Sequence, residues 1–157
     1  MRSTAPDGLW PRVRAALNWI NLSTPLGLAV ARFGGATPER HERGTWIAGG
    51  YRWPVPVASA FTVGNVVCSR HDVEWLRARP ELLAHEDRHC SQYAACLGPA
   101  MVPLYLASAG LSWVVTGDHA SLNPFERLAG LVSGGYPPPR PPRWRRRVHH
   151  LDRLAAM

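Results

Sequence analysis

Two histidines with three residues between them, and a glutamate directly after the first, stand at His85-Glu86-Asp87-Arg88-His89. On an α-helix, positions i and i+4 lie one turn apart on the same face, so both imidazoles can approach one metal ion without bending the backbone. This spacing is the HExxH zinc pattern. Zinc takes nitrogen and oxygen ligands, and a catalytic site leaves one position to water. Metal binding lowers the pKa of that water, and a carboxylate beside it can take the proton. Because five residues match this pattern by chance in many helices, the elements that position them must decide.

Those elements are well marked. Pro80 suits the first turn of a helix, where its missing N–H is not needed, and Gly98-Pro99 is a stop signal. The spacing predicts a helix over residues 81–97. On it, Leu82, Glu86, Cys90, Tyr93 and Leu97 form one stripe, with Leu83 and Ala94 beside it. His85, His89 and Gln92 form the adjoining row, and Asp87, Arg88 and Ser91 take the opposite, wet face. Glu86 thus interrupts an apolar stripe, where a carboxylate is costly unless it is paired or used. Gln92 faces the side of the histidines and is expected to support a ligand from behind.

A site of this kind needs a third protein ligand. Glu126 is the first candidate, in Asn123-Pro124-Phe125-Glu126, where Asn123 reads as an N-cap and Pro124 as the first residue of a short helix. The competing reading makes Glu126 a capping-box residue that reaches back to the N–H of Asn123. His119 is the rival ligand, and His71, in a polar loop before the motif helix, is a weaker one.

Residues 83–86, His89, Gln92 and Gly98, followed by Asn123-Pro124-Phe125-Glu126 and Ala129, resemble minimal zincin-like domains of the gluzincin type. More closely, they resemble a group of small uncharacterised actinobacterial proteins with a His-Glu-x-x-His-x-x-Gln core. The likeness extends back through residues 18–24 and 61–67 and covers most of residues 10–136. It implies an edge strand lying over the metal helix, His85 and His89 as ligands, Glu86 as general base and Glu126 as the later acidic ligand. It implies no substrate.

The 157 residues bound the chain to one domain with appendages, and 46% hydrophobic content is enough for a real core. All 18 basic residues are arginine. Residues 1–136 hold 12 Arg against 10 acids, a balance of +2, whereas residues 137–157 hold 6 Arg against 1 acid, a balance of +5. Residues 1–136 are therefore expected to form the domain. Residues 137–157 are expected to be a Pro/Arg-rich, flexible basic tail, either solvated or in contact with phosphates of nucleic acid or of an anionic membrane. His149 and His150 are not expected to be ligands, and Val148, Leu151 and Leu154 suit a short terminal helix. Cys68, Cys90 and Cys96 have no paired metal spacing, which fits a reducing compartment and a packing role. With no secretory signal evident, the expected location is cytoplasmic, with a membrane-peripheral one as the alternative.

Elsewhere, Leu9, Val13, Leu17 and Ile20 have helical spacing, with Asp7 as a cap, and residues 26–33 suggest a second helix. Residues 34–44 read as a loop. Two short runs around Gly49-Gly50 suggest a hairpin, and residues 59–68 read as a strand in which Gly64 and Asn65 mark a bulge or a close backbone approach. Residues 99–115 read as a buried helix on the metal helix, with a membrane-surface segment as the other reading. The expected fold is α+β, a small zincin-like domain with a short sheet. The expected function is that of a zinc-dependent hydrolase, a metallopeptidase acting on peptide or protein. The alternative is a non-catalytic metal-fold scaffold that binds anionic membrane or nucleic acid through its tail.

Overall fold

Gly64 and Asn65 divide the long apolar run at residues 59–68 into two strands. Gly64 has a φ of +63°, and a Cβ there would stand 2.4 Å from the Ser23 backbone. Glycine at the first position of a two-residue turn closes an antiparallel hairpin, so the expected bulge is a turn, and the close backbone approach is with the chain at Ser23. The computed structural model describes residues 8–145. Asp7, expected as a cap, and the histidines and short helix expected within residues 146–157 lie outside them.

Backbone contacts divide the chain into two compact units, Met1–Met101 and Val102–Met157. The first carries α1 (Leu9–Ile20), α2 (Ser23–Phe33), β1 (Thr37–Arg40), a 3₁₀ turn (Glu42–Gly44) and β2 (Trp46–Gly49). These are followed by β3 (Ala60–Val63), β4 (Val66–Ser69), α3 (Val73–Arg77) and α4 (Pro80–Ala95). The sheet order is β1-β2-β4-β3, with β2 and β4 parallel and the two outer pairs antiparallel. The fold is therefore α+β with a four-stranded mixed sheet.

The sheet is covered on both faces. Ala48, Val66 and Cys68 pack with Leu28 and Ala31 of α2, whereas Ile47 and Val67 pack with Leu76 of α3 and with Leu82 and Leu83 of α4. All four residues of β4 are buried, as expected of a strand with layers on both sides. Thr62 of β3 pairs with Val67, so it faces the α4 side.

Two expectations about the sheet are corrected. Tyr51–Trp53 does not pair with β2 around Gly49-Gly50; β2 pairs instead with β1, which lies in the segment read as a loop. β1 carries Pro38 and two charged residues, so it lacks the alternation that marks a half-buried strand. The Tyr51 ring is buried and meets Phe61 edge-on, while its N–H donates to the Ser69 carbonyl of β4 at 2.9 Å.

α1 has its polar residues inward. Arg14 and Asn18 are buried, whereas Leu9, Val13, Leu17 and Ile20 are exposed. The Arg14 guanidinium lies 2.7 Å from the Asp87 carboxylate and donates to the carbonyl oxygens of Asp87 and Arg43. Asp87 is thus not on a wet face: it ties α4 to α1. Asn18 donates to Asn65 Oδ1 and to the Cys90 carbonyl, both at 2.8 Å, and Asn65 donates to Thr24 Oγ1 at 2.9 Å. This buried amide network joins α1, α2, α4 and the β3–β4 turn.

α4 ends at Ala95, with Leu97 and Gly98 at φ of +59° and +87°. Leu97 is therefore past the helix and exposed rather than on its apolar stripe.

The second unit carries α5 (Met101–Thr116) and α6 (Pro124–Ala129). α5 is not the buried helix its composition suggested, since Leu104, Leu106, Leu111 and Trp113 are exposed. Asn123 caps α6 through its side chain, which accepts from the Phe125 N–H at 3.1 Å. The start of the Pro/Arg segment belongs to this unit: the Arg140 N–H donates to Ser121 Oγ at 2.8 Å, and the Arg143 guanidinium lies 5.4 Å from the Trp113 ring. Among the described residues no helix is long and apolar enough to cross a membrane.

Candidate metal centre

His85, Glu86 and His89 all lie on the buried side of α4. The i, i+4 spacing does what helix geometry requires, bringing His85 Nε2 and His89 Nε2 to 3.1 Å. Two nitrogens bound to one zinc at ~2.0–2.1 Å and the tetrahedral angle stand about 3.3 Å apart, so the pair fits without rearrangement.

Gln92, one turn on from His89, sets the tautomer. Its Oε1 lies 2.7 Å from His89 Nδ1. An amide oxygen only accepts, so Nδ1 carries the proton and the Nε2 lone pair faces His85. A ligating histidine is oriented by this kind of contact.

Glu86 is 4% exposed. The Thr62 hydroxyl of β3 donates to its carboxylate at 2.7 Å and lies 3.3 Å from the Glu86 carbonyl oxygen. Thr62 was not singled out from sequence. Nothing in a threonine on a predicted strand identifies which helix it will meet, since that depends on the β3–β4 register.

Glu126 is also buried, at 2% exposed. It does not act as a capping-box residue, because the Asn123 N–H donates to the Ala120 carbonyl and Asn123 supplies the cap alone. Instead the Tyr105 hydroxyl of α5 donates to the Glu126 carboxylate in a short contact. Burial, then the adjacent Glu126 carboxylate, holds the Tyr105 hydroxyl protonated well above the ordinary phenol range. In sequence Tyr105 is one residue of an apolar stretch, and its partner lies 21 residues on.

One ligand atom each from His85, His89 and Glu126 lie within 4.8 Å of one another, and all three residues are buried. Two imidazole nitrogens and a carboxylate oxygen are a donor set that holds a divalent metal. The rival ligands are elsewhere. His119 is 55% exposed, with Nδ1 3.8 Å from Asp118 Oδ1 and its ring edge-on to Tyr136. His71 is stacked on Trp75.

None of the three cysteines is in a disulfide. Burial pushes the Cys68 thiol up to about 12, with the Glu86 carboxylate adding to the effect, and burial raises Cys90 further still. Both are buried, protonated thiols, which suits a packing role. Compared with known protein families, curated proteins and solved structures, the chain matches none.

Proposed function

We propose that the chain is a zinc-dependent hydrolase, a metallopeptidase in which His85, His89 and Glu126 hold the metal and Glu86 is the general base. The observation that carries this reading is the buried convergence of two imidazole nitrogens and one carboxylate oxygen. Bound there, zinc would supply Lewis acidity and a water of lowered pKa. The chain's own residues have separable tasks. Glu86 takes the proton of the attacking water and passes it to the leaving group. Thr62 orients the Glu86 carboxylate through the 2.7 Å hydrogen bond. Gln92 holds the His89 tautomer, and Tyr105 holds the Glu126 carboxylate. An edge strand next to the motif helix adds a reason for peptide as substrate. β3 is an edge strand of the sheet, paired with β4 on one side. The other edge offers backbone N–H and C=O groups to an extended peptide.

Zinc-loaded protein incubated with a mixture of unstructured peptides, followed by mass spectrometry, tests this reading. Cleavage is expected, and Glu86→Gln is expected to lower it by a factor of ~10²–10⁴ while the metal stays bound. Undiminished cleavage by Glu86→Gln, or no cleavage by the zinc-loaded protein, would contradict it.

A further inference from the structure

α1 and α2 present to solvent what a helix pair of this kind normally buries. On α1 the exposed stripe is Leu9, Val13, Leu17 and Ile20, with Leu9 and Ile20 76% and 77% exposed. It continues at Leu22, just before α2, and at Leu26 and Phe33 on α2, with Phe33 74% exposed. These positions recur at i+3, i+4 and i+7, so each helix has one continuous apolar face. The inward faces are instead mostly small or polar: Arg14 and Asn18 on α1, and Ser23, Thr24, Gly27 and Ala31 on α2, where Leu28 is the one large apolar side chain turned inward. Their hydrogen-bond network holds the pair in this orientation, so the outward apolar face is built in.

Charge decides what this face fits. From residue 8 to residue 38 the chain has three arginines and no acidic residue. Arg14 is committed to Asp87, which leaves Arg12 and Arg32 exposed beside the apolar stripes. An open groove runs between Trp19, Pro25, Ala29 and Phe33, with Arg32 also in its lining. Exposed tryptophan beside the face, aliphatic and aromatic side chains on it, and arginine at its edge form the pattern of a helix that lies in an anionic membrane interface. A second copy of this chain fits less well, because pairing the face with itself would bring four exposed arginines together with no acid among them.

We propose that the α1–α2 face is a docking surface for an anionic phospholipid bilayer. The apolar stripes and the groove enter the acyl boundary, and Arg12 and Arg32 contact headgroup phosphates. Arginine reaches such phosphates while its stem stays on the apolar surface. This surface uses no residue of the metal centre and none of the basic C-terminal segment.

The test is sedimentation of the full chain with vesicles of phosphatidylglycerol and phosphatidylcholine in equal parts, and with vesicles of phosphatidylcholine alone. Binding is expected to the anionic vesicles, to weaken with salt, and to be weak on the neutral ones. Ile20→Ser combined with Phe33→Ser removes two of the most exposed apolar side chains and is expected to lower partition by about tenfold or more. Arg12→Gln combined with Arg32→Gln is expected to lower binding and flatten its salt dependence. Circular dichroism should be unchanged in both, since all four side chains are exposed, and His85→Ala should bind vesicles as the native chain does. Failure of the native chain to bind anionic vesicles would overturn the proposal. So would unaltered partition of Ile20→Ser/Phe33→Ser, which would assign membrane binding to another part of the chain. A native dimer that this double variant converts to monomer would assign the face to a second copy instead.

Discussion

The Thr62 hydroxyl of an edge strand donates to the Glu86 carboxylate of the motif helix across 2.7 Å. A hydrogen bond to a charged group contributes ~1.5–3 kcal/mol. Thr62→Val keeps the shape and removes the donor, so it should destabilise the chain by about that amount, whereas Thr62→Ser should recover most of the loss. Chemical denaturation of the three proteins measures it. Equal stability of Thr62→Val and the native chain would show that the contact contributes nothing to holding Glu86.

Arg14 is 1% exposed and its ion pair with Asp87 joins α1 to the motif helix. Removing one partner of a buried pair typically costs ~3–5 kcal/mol, because the other charge is left uncompensated. Asp87 is 29% exposed, so Asp87→Ala is expected near the lower end of that range. Arg14→Met together with Asp87→Ala should cost less than the sum of the two single changes. Additive losses in a double-mutant cycle would count against direct coupling.

Gly27 is required by a close approach. A Cβ at this position would stand 2.2 Å from the Val63 carbonyl oxygen and 2.9 Å from Val66. The nearer atom is backbone and cannot swing away, so Gly27→Ala should destabilise by ~1–3 kcal/mol or more, despite alanine's better helix propensity. A melting temperature equal to or above that of the native chain would show that α2 does not pack this closely on the hairpin.

Cys68 and Cys90 are fully buried with raised thiol pKa values, while Cys96 is half-exposed at the end of α4. Thiol reagents attack the thiolate, so the native protein should modify rapidly at one position, Cys96, and at the other two only on unfolding. Peptide mapping after a short alkylation identifies the sites. Rapid labelling of Cys68 would mean that the sheet opens readily.

How much was legible in sequence depended on the range of the interactions involved. The motif helix was readable because Pro80 and Gly98 mark its ends locally, and i, i+4 spacing alone predicts that His85 and His89 meet. Gln92 followed from the same periodicity. Asn123 and Pro124 marked the start of α6 in the same local way. Thr62, Tyr105 and Arg14 were not legible as partners, because each meets its carboxylate through strand register or helix packing over 21 or more residues of sequence. α1 misleads for a related reason. Its apolar periodicity is genuine, but a buried Arg–Asp pair and an amide network reverse the usual relation between that periodicity and the core. β1 was missed because an edge strand of four residues carries too little pattern to outweigh Pro38 and its charges.

In the proposed centre His85, His89 and Glu126 hold the metal and Glu86 is not a ligand. Metal analysis of purified, zinc-equilibrated protein distinguishes these roles, with circular dichroism confirming that each variant is folded. The native chain is expected to hold about one zinc ion. His85→Ala and His89→Ala should lose it, Glu126→Ala should bind far more weakly, and Tyr105→Phe should lose ~10–100-fold in affinity through its contact with Glu126. Glu86→Gln should retain a full complement. Zinc content unchanged in folded His85→Ala and His89→Ala, or lost in Glu86→Gln alone, would contradict the assignment.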